Sequence, residues 1–351
     1  MALVHTEPMT TMRESLPTLL RKLLGALALL LMLAPTVQAQ LLPTFGRDRA
    51  GTSGFQFLKI PVDARSAAMG QTASSHAFDA SALFWNPALA ARADGIQIGL
   101  SQTAYFADVS LSYAAVAAPV GPFVLGASLQ VLNSGDIQET TEFEPLGTGR
   151  TFSATDLALG LSLSQSLSDL FSYGVTLKYV EENIAEVTVR NVMVDLGVFY
   201  QIGATGAQMA VAIRNFGPDT APTGTLERTA VNDAGLAVED DFETITPPTT
   251  FLLGLSYRLL RDDARQDLLV SGQLNNPNDN AESYNLGAEY TWNELLILRT
   301  GYRFGVVELD APSFGVGLQV PDFGPELRVD YGFNRLNRLG NVHRIGLNVQ
   351  L

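Results

Sequence analysis

One group of side chains in this sequence has the composition of a hydrolytic site. His76 follows Ser74 and Ser75 and precedes Asp79, so a nucleophile, a base and a carboxylate stand close together in the chain. A catalytic triad needs these groups in a defined series of hydrogen bonds, which this spacing does not indicate. We therefore expect no enzymatic activity. We interpret His76 as a hydrogen-bonding residue of the interior and His343 as a residue at a strand end.

Metal and cofactor sites are not expected either. The chain has no cysteine and two isolated histidines beyond residue 39, which leaves few zinc ligands. The run Glu239-Asp240-Asp241-Phe242-Glu243 offers carboxylates to calcium but lacks the spacing of a calcium loop, so we favour a solvated charge run. Gly147-Thr148-Gly149 is not followed by the Lys-Ser/Thr pair of a phosphate-binding loop. The net charge of −14 argues against nucleic-acid binding, because phosphate contacts need a basic surface.

The other charged residues of interest lie in segments where every second side chain is apolar. In the segment 251–260, Phe251, Leu253, Leu255 and Tyr257 share one face, and polar or small residues occupy most of the other. Successive side chains of a strand point to opposite faces, so each strand has one apolar and one polar side. A soluble β-sandwich and a membrane barrel both fit this pattern when one strand is considered alone.

The connections between strands favour the membrane barrel. We predict fourteen strands, which start at Gly95, Asp108, Gly121, Ser153, Asp169, Val187, Gly206, Thr249, Asp267, Glu282, Glu294, Ser313, Pro325 and Asn341. Connections after even-numbered strands are short, those after strands 3 and 7 are long, and those after strands 5, 9, 11 and 13 are intermediate. An up-and-down barrel sorts connections in this way, whereas a Greek-key sandwich has no reason to do so. The fold class is therefore all-β, with a 14-stranded antiparallel transmembrane β-barrel over residues 95–351.

The polar faces of these strands carry charges that would line the lumen of such a barrel. The set comprises Lys178, Arg258, Glu289, Arg299, Arg303, Arg328, Asp330 and Arg344. Buried charges are costly unless they are paired, so we expect partners for these lumen charges inside the barrel.

Residues 1–39 have the features of a cleaved signal peptide. Basic residues at Arg13, Arg21 and Lys22 precede the apolar run 23–33, and the small residues Val37 and Ala39 occupy the −3 and −1 positions. The apolar run is shorter than the ~20 residues that span a bilayer as a helix. We expect an exported protein located in the outer membrane and surrounded by its lipid.

Residues 40–94 lack the two-residue period of the strands. The lumen of a fourteen-stranded barrel is too wide for wall side chains to fill, so we expect this segment to form an N-terminal hatch, or plug. Asp63, Asp79 and Asp94 would then pair with lumen arginines. The alternative is a disordered tail, which is disfavoured by the aromatic residues Phe55, Phe57, Phe78, Phe84 and Trp85.

The same segment carries a family resemblance. The stretches 54–70 and 79–88 resemble the PorV/PorQ family of outer-membrane proteins, which is similar to FadL-type fourteen-stranded barrels whose hatch has an element like Asn86-Pro87-Ala88. Gln71 and Leu89 stand where the resemblance implies glycine, and Leu351 stands where it implies a terminal aromatic residue. The hatch motif comprises Phe55, Phe57, Asp63, Arg65, Met69, Gly70, Asp79, Phe84, Trp85, Asn86 and Pro87.

The resemblance implies a component of type IX secretion that binds translocon or cargo proteins for export and surface attachment, including the C-terminal domains of the cargo. It implies no cofactor. The long connections 133–152 and 217–248 suit such contacts, because long loops without periodicity are usually functional. The alternative that the resemblance leaves open is FadL-like transport of hydrophobic small molecules across the outer membrane, and a purely structural barrel is a third class.

Overall fold

The computed structural model describes residues 51–224, 242–260, 265–306, 308–309, 311–320 and 325–351. The expected signal peptide, the first part of the expected hatch (residues 40–50) and most of the acidic run 239–243 lie outside this range.

A closed antiparallel barrel of fourteen strands dominates the described part of the chain. Its strands are β1 Gln97–Ala104, β2 Ser110–Val120, β3 Phe123–Asn133, β6 Ala154–Ser166, β7 Phe171–Ile184, β8 Val187–Ile202, β9 Ala207–Phe216, β10 Thr250–Arg258, β11 Gln266–Pro277, β12 Ser283–Trp292, β13 Leu296–Phe304, β14 Ser313–Val320, β15 Glu326–Leu336 and β16 Gly340–Gln350. Neighbours in sequence pair with one another, and β1 closes the barrel against β16. Each predicted strand start lies within about two residues of the observed one, so the predicted fold is confirmed.

The apolar face of each strand points outward and the polar face points inward. Leu255, Leu298 and Ile345 are exposed on the outside, whereas Ser256 and Arg299 on the opposite faces are buried. This arrangement places the apolar side chains in the lipid and the polar ones in the lumen, as in outer-membrane barrels. None of the helices in the described range is long and apolar enough to cross a membrane.

Two connections are shorter than the sequence suggested. Strands β7 and β8 stay paired up to Ile184 and Val187, so Ala185 and Glu186 alone join them. Strands β15 and β16 pair up to Leu336 and Gly340 and also meet in a tight turn. The prediction of intermediate length was wrong at these two places, because the strand pairing continues into polar residues that the alternation did not reveal. The long connection after β3 contains a small hairpin, β4 Ile137–Gln138 with β5 Thr151–Phe152.

Residues 51–94, hereafter the inner segment, pack against the inward face of the wall. They form two short helices, α1 Ala64–Ala68 and α2 Ala82–Trp85, and three 3-10 turns, Gln56–Lys59, Ala73–Ser75 and Pro87–Arg92. The first turn contacts Asp279, which follows β11 at the end with the long connections, and the last turn leads into β1 at the end with the short ones. The inner segment therefore runs from one end of the lumen to the other.

Glycines in the wall allow this close approach. A Cβ atom at Gly174 would lie 2.5 Å from the carbonyl carbon of Pro87, and one at Gly301 would lie 2.1 Å from the carbonyl carbon of Met69. Such distances are too short for any side chain, so the wall and the backbone of the inner segment touch directly.

Candidate functional site

Six charged side chains join the inner segment to the wall in a ring of alternating charge. Its members are Arg65 and Asp79 of the inner segment, Glu289 of β12, Arg299 of β13, and Arg328 and Asp330 of β15. We call this set the charge ring. Its three arginines balance its three carboxylates, so burial leaves no net charge to be compensated.

Glu289 accepts three hydrogen bonds from two arginines of the charge ring. Arg65 donates to its two oxygens from Nε at 2.7 Å and from Nη2 at 2.8 Å, and Arg299 Nε donates to Oε2 at 2.6 Å. This bidentate geometry is the one that makes arginine–carboxylate pairs strong and specific. Arg65 belongs to α1, so this contact fixes the helix to the wall.

The remaining contacts close the charge ring. Arg299 Nη1 donates to Asp330 at 2.6 Å, and Arg328 Nε donates to the other oxygen of Asp330 at 2.9 Å. Arg328 also donates to Asp79, whose carboxylate lies 4.0 Å from Arg65. The inner segment is thus held to β12 and β15 by buried ion pairs, and Arg299 of β13 links the two carboxylates of the wall.

Of the three aspartates expected to pair with lumen arginines, the structure pairs Asp79 in this way. Asp63 instead caps α1, accepting from the amide of Ser66 at 2.7 Å, and accepts from Trp85 Nε1 at 2.8 Å. Asp94 is exposed next to β1 and forms no salt bridge with a described residue. The expectation for Asp63 and Asp94 was wrong, because local capping and position along the chain decide their partners.

His76 does not form the side-chain hydrogen bonds expected from the sequence. It is buried, and neither ring nitrogen has a hydrogen-bond partner among the described residues. Burial, reinforced by the charge of Arg65, lowers the pKa of His76 to about 3. Burial by itself would raise the pKa of Asp79, but Arg328 and Arg65 outweigh it and hold that pKa well below its usual value.

Both shifts predict a protein that loses stability in acid. For His76 the stabilising contribution is present above the unfolded pKa of about 6.5 and is lost as the pH falls towards about 3. We expect this residue to remove up to about 1.4 kcal/mol per pH unit below pH 6.5. Urea unfolding of the detergent-folded protein at pH 7 and pH 4.5 measures the loss. His76→Gln should show a smaller one, and equal losses would contradict the assignment. Asp79 adds its loss only at lower pH.

Three further lumen charges have partners outside the charge ring. Lys178 Nζ lies 2.6 Å from Asp195 and 2.6 Å from the side-chain oxygen of Asn215. Arg344 donates to Asn334 at 2.6 Å and to the carbonyl of Pro61 at 3.3 Å. Arg258 pairs with Asp267 near the short connections and is partly exposed. Arg303 lines the lumen, and its Nε has no hydrogen-bond partner among the described residues.

A bulge in the wall aims one further arginine at the inner segment, and the sequence did not indicate it. The register between β8 and β9 shifts at Asp195, which accepts from the amide of Asn215 at 2.7 Å. Arg214, next to it, lies with its guanidinium carbon 3.8 Å from the centre of the Phe84 ring and donates to the carbonyl of Leu58 at 3.2 Å. In the sequence, the one sign of this bulge was Asp195, a single carboxylate on the polar face of the long strand β8.

The aromatic members of the hatch motif pack in two apolar clusters. Phe55 and Phe57 are buried in one cluster with Val180 and Met193 of the wall. Phe84 packs edge-to-face on Trp85 in the second cluster, with 4.9 Å between ring centres.

The Asn86-Pro87 element shapes the turn that enters the last part of the inner segment. Asn86 Oδ1 accepts from the amide of Ala88 at 3.0 Å, and its Nδ2 donates to the carbonyl of Ser74 at 3.0 Å. Pro87 occupies the first position of the 3-10 turn, where its fixed φ is favourable. Ser164 of the wall donates to the carbonyl of Pro87 at 2.6 Å.

Met69 and Gly70 form the tight turn that lies against Gly301. Gly70 and Gln71 have φ angles of 65° and 66°, in the left-handed region that favours glycine. The glycine that the resemblance implied at position 71 would therefore fit this backbone without strain. Leu89 is buried in the 3-10 turn Pro87–Arg92 and needs no such freedom.

A cavity of about 650 Å³ lies between the charge ring and the end of the barrel with the short connections. Charged and amide side chains dominate its lining, including Arg258, Asp267, Glu294 and Gln319 together with members of the charge ring. It is suited to water and polar groups, not to an apolar ligand.

A closed barrel with an apolar outer belt, a polar lumen and an internal segment defines an outer-membrane β-barrel of the FadL-like fold. Residues 45–206, just under half of the chain, match the family model described as "Type IX secretion system protein PorV". This match confirms the resemblance seen in the sequence.

Solved structures support the fold. The chain is similar to the toluene transporter TodX of Pseudomonas putida, with a TM-score of 0.56, 16% identity and coverage of 82% of this chain and 96% of that one. For the Ralstonia pickettii toluene transporter TbuX the TM-score is 0.55 and the identity 13%, with coverage of 82% of this chain and 96% of that one. For a Pseudomonas aeruginosa FadL homologue the TM-score is 0.51 and the identity 12%, with coverage of 83% of this chain and 98% of that one. At these identities the likeness concerns the fold. No curated protein matches the chain significantly. The matched family is named for secretion, and TodX and TbuX are named for transport.

Proposed function

We propose that this protein is a PorV-like component of type IX secretion, which binds translocon or cargo proteins at the outer membrane for export and surface attachment. In this proposal residues 1–39 are a cleaved signal peptide and residues 40–94 are the hatch. The match of residues 45–206 to the PorV family model, which is described as a type IX secretion system protein, supports the assignment of this protein to type IX secretion.

The observation that carries the proposal is the way the inner segment is fixed in the lumen. The charge ring ties it to β12 and β15, and wall glycines contact its backbone directly. A hatch fastened at so many points suits a barrel that stays closed while it acts through its outer loops. The connection after β3, with its own hairpin, provides such a loop.

Deletion of the gene tests this proposal. We expect proteins that carry C-terminal sorting domains to be lost from the cell surface and the medium, and to be restored by a plasmid copy of the wild-type gene. Immunoblots of cell, surface and medium fractions measure the effect. Normal export in the deletion strain would rule the proposal out.

A groove on the lipid-facing surface favours a second candidate, the transport of hydrophobic small molecules. The groove has a volume of about 420 Å³ and is lined mainly by apolar side chains of β1, β2, β3 and β16. Leu100, Ser101, Tyr113 and Gly346 also line a cleft on the inner side of the wall, beside Asp63. That cleft holds only about 10 Å³, roughly one water, so the wall would have to open.

Uptake of labelled toluene separates the two candidates, because two of the structural neighbours are named as toluene transporters. If the barrel transports hydrophobic molecules, uptake should fall in the deletion strain while export of sorting-domain proteins stays normal. The secretion proposal predicts the opposite pair of results.

A further inference from the structure

Two arginines at the end of the lumen with the long connections have no carboxylate partner. Arg303 lies one residue before the end of β13, and Arg344 lies in the first half of β16. The Nε of Arg303 has no hydrogen-bond partner among the described residues. Arg344 donates to two neutral oxygens, those of the Asn334 side chain and the Pro61 carbonyl. Neither arginine forms a salt bridge with a described carboxylate, in contrast to the arginines of the charge ring.

The positive charge of these two arginines is not balanced by the residues around them. Arg344 is buried, Arg303 is partly buried, and their charges repel each other. Asp63 offsets part of the charge of Arg344, but its two oxygens already accept from Ser66 and Trp85. No described carboxylate offsets the charge of Arg303 in this way. A buried cation without a counter-ion is costly, so this part of the lumen favours a bound anion.

Polar side chains without partners accompany both arginines. Asn285 of β12 lies directly opposite Arg303, is 1% exposed, and neither polar atom of its amide has a hydrogen-bond partner among the described residues. Thr103 of β1 lies directly opposite Arg344, is fully buried, and its hydroxyl likewise has no described partner. Tyr105, in the connection after β1, interacts electrostatically with both arginines. Hydrogen-bond donors on four strands and one connection therefore serve the same part of the lumen.

We propose that Arg303 and Arg344 bind a phosphate group at this end of the lumen, with further hydrogen bonds from Asn285, Thr103 and Tyr105. Guanidinium groups recognise phosphate oxygens through paired N–H donors. A tetrahedral phosphate accepts hydrogen bonds from several directions, which suits donors on four strands, whereas a planar carboxylate offers two oxygens. The site faces inward, away from the lipid, so its ligand is a soluble phosphate ion or ester and not a lipid headgroup. Such a site does not depend on the proposed role in secretion.

Isothermal titration of the detergent-purified protein with inorganic phosphate, in chloride buffer of constant ionic strength, tests the site. We expect one saturable site per barrel. Arg303→Met should weaken the binding by at least about tenfold, because it removes charge-assisted hydrogen bonds to the ligand. Arg335→Met, which changes an exposed arginine at the same end of β15, is the matched control and should bind like wild type.

Titrations with two other anions define the ligand. Glycerol 3-phosphate distinguishes a site for the free ion from one that also accepts a phosphate ester, and either result supports the proposal once inorganic phosphate binds. Acetate should bind at least about tenfold more weakly than phosphate, since it cannot engage the donors from all sides. Equal affinities for acetate and phosphate would overturn the choice of phosphate.

Urea unfolding provides a readout that an arginine with a purely structural role would not change in this way. In phosphate-free buffer Arg303→Met should be at least as stable as wild type, because it removes an uncompensated buried charge. Phosphate should raise the unfolding midpoint of wild type and leave that of Arg303→Met unchanged. Asn285→Leu should fold and bind phosphate several-fold more weakly. The absence of saturable binding, equal binding by Arg303→Met, an equal loss in Arg335→Met, or a destabilised Arg303→Met protein in phosphate-free buffer would overturn the inference.

Discussion

Replacing Glu289 with glutamine is expected to destabilise the folded barrel by about 3–5 kcal/mol, the range seen when one partner of a buried ion pair is removed. The carboxylate accepts from both Arg65 and Arg299 and is buried between them. Without its charge, Arg65 is left with Asp79 at 4.0 Å as the nearest anion. The free energy of unfolding in urea, measured on detergent-folded protein, gives the size of the effect.

Two further variants make this result specific. Glu294→Gln changes an exposed carboxylate next to the same cavity and should leave the unfolding midpoint unchanged. The double variant Arg65→Met with Glu289→Met removes both charges of one pair, so it should recover much of the lost stability, since Arg299 keeps Asp330. If Glu289→Gln unfolds like wild type, the charge ring does not hold the inner segment.

Substituting alanine for Gly301 is expected to push the inner segment away from the wall. The added Cβ would lie 2.1 Å from two backbone atoms, the carbonyl carbon of Met69 and the nitrogen of Gly70. Backbone atoms have no rotamer by which to move aside, so the cost should reach at least the upper end of the 1–3 kcal/mol typical of overpacking. We expect a lower unfolding midpoint and a higher ion conductance in planar bilayers, because the displaced segment opens a path through the lumen.

Gly272→Ala is the matched control for this prediction. Gly272 lies in the neighbouring region of the wall on β11, but a Cβ there would meet Leu286 at 3.6 Å, which is ordinary contact distance. Its stability and conductance should equal those of wild type. A Gly301→Ala protein that behaves in the same way would show that the inner segment does not depend on direct contact with the wall.

The two predictions probe different means of holding one segment. The charge ring supplies specific ion pairs inside the lumen, and the wall glycines supply close backbone contact with the strands. If both results hold, the ion pairs and the backbone contacts together keep the inner segment in the lumen and the barrel closed. A closed barrel agrees with a protein that works through its outer loops.

Much of the architecture follows from the sequence because it depends on local pattern. Two-residue alternation specifies which face of each strand meets the lipid, and the count of such segments specifies a barrel wide enough to need filling. The motif 54–70 with 79–88 indicates the inner segment and its family resemblance. The charges on the polar faces of the strands predict ion pairs in the lumen, because unpaired buried charges are costly.

The tertiary structure decided which charged side chains pair with one another. Arg65 and Glu289 lie far apart in the chain, and they meet because the path of α1 and the register of β12 place them on the same level of the lumen. The same geometry assigned Asp63 to a helix cap and aimed Arg214 inward at a bulge. It also buried the ring of His76 where, among the described residues, neither ring nitrogen has a hydrogen-bond partner. The sequence by itself determines what each strand presents to lipid and to lumen, because that depends on neighbours in the chain. Only the fold determines which charges meet across the lumen, because that depends on strand register and on the route of one irregular segment.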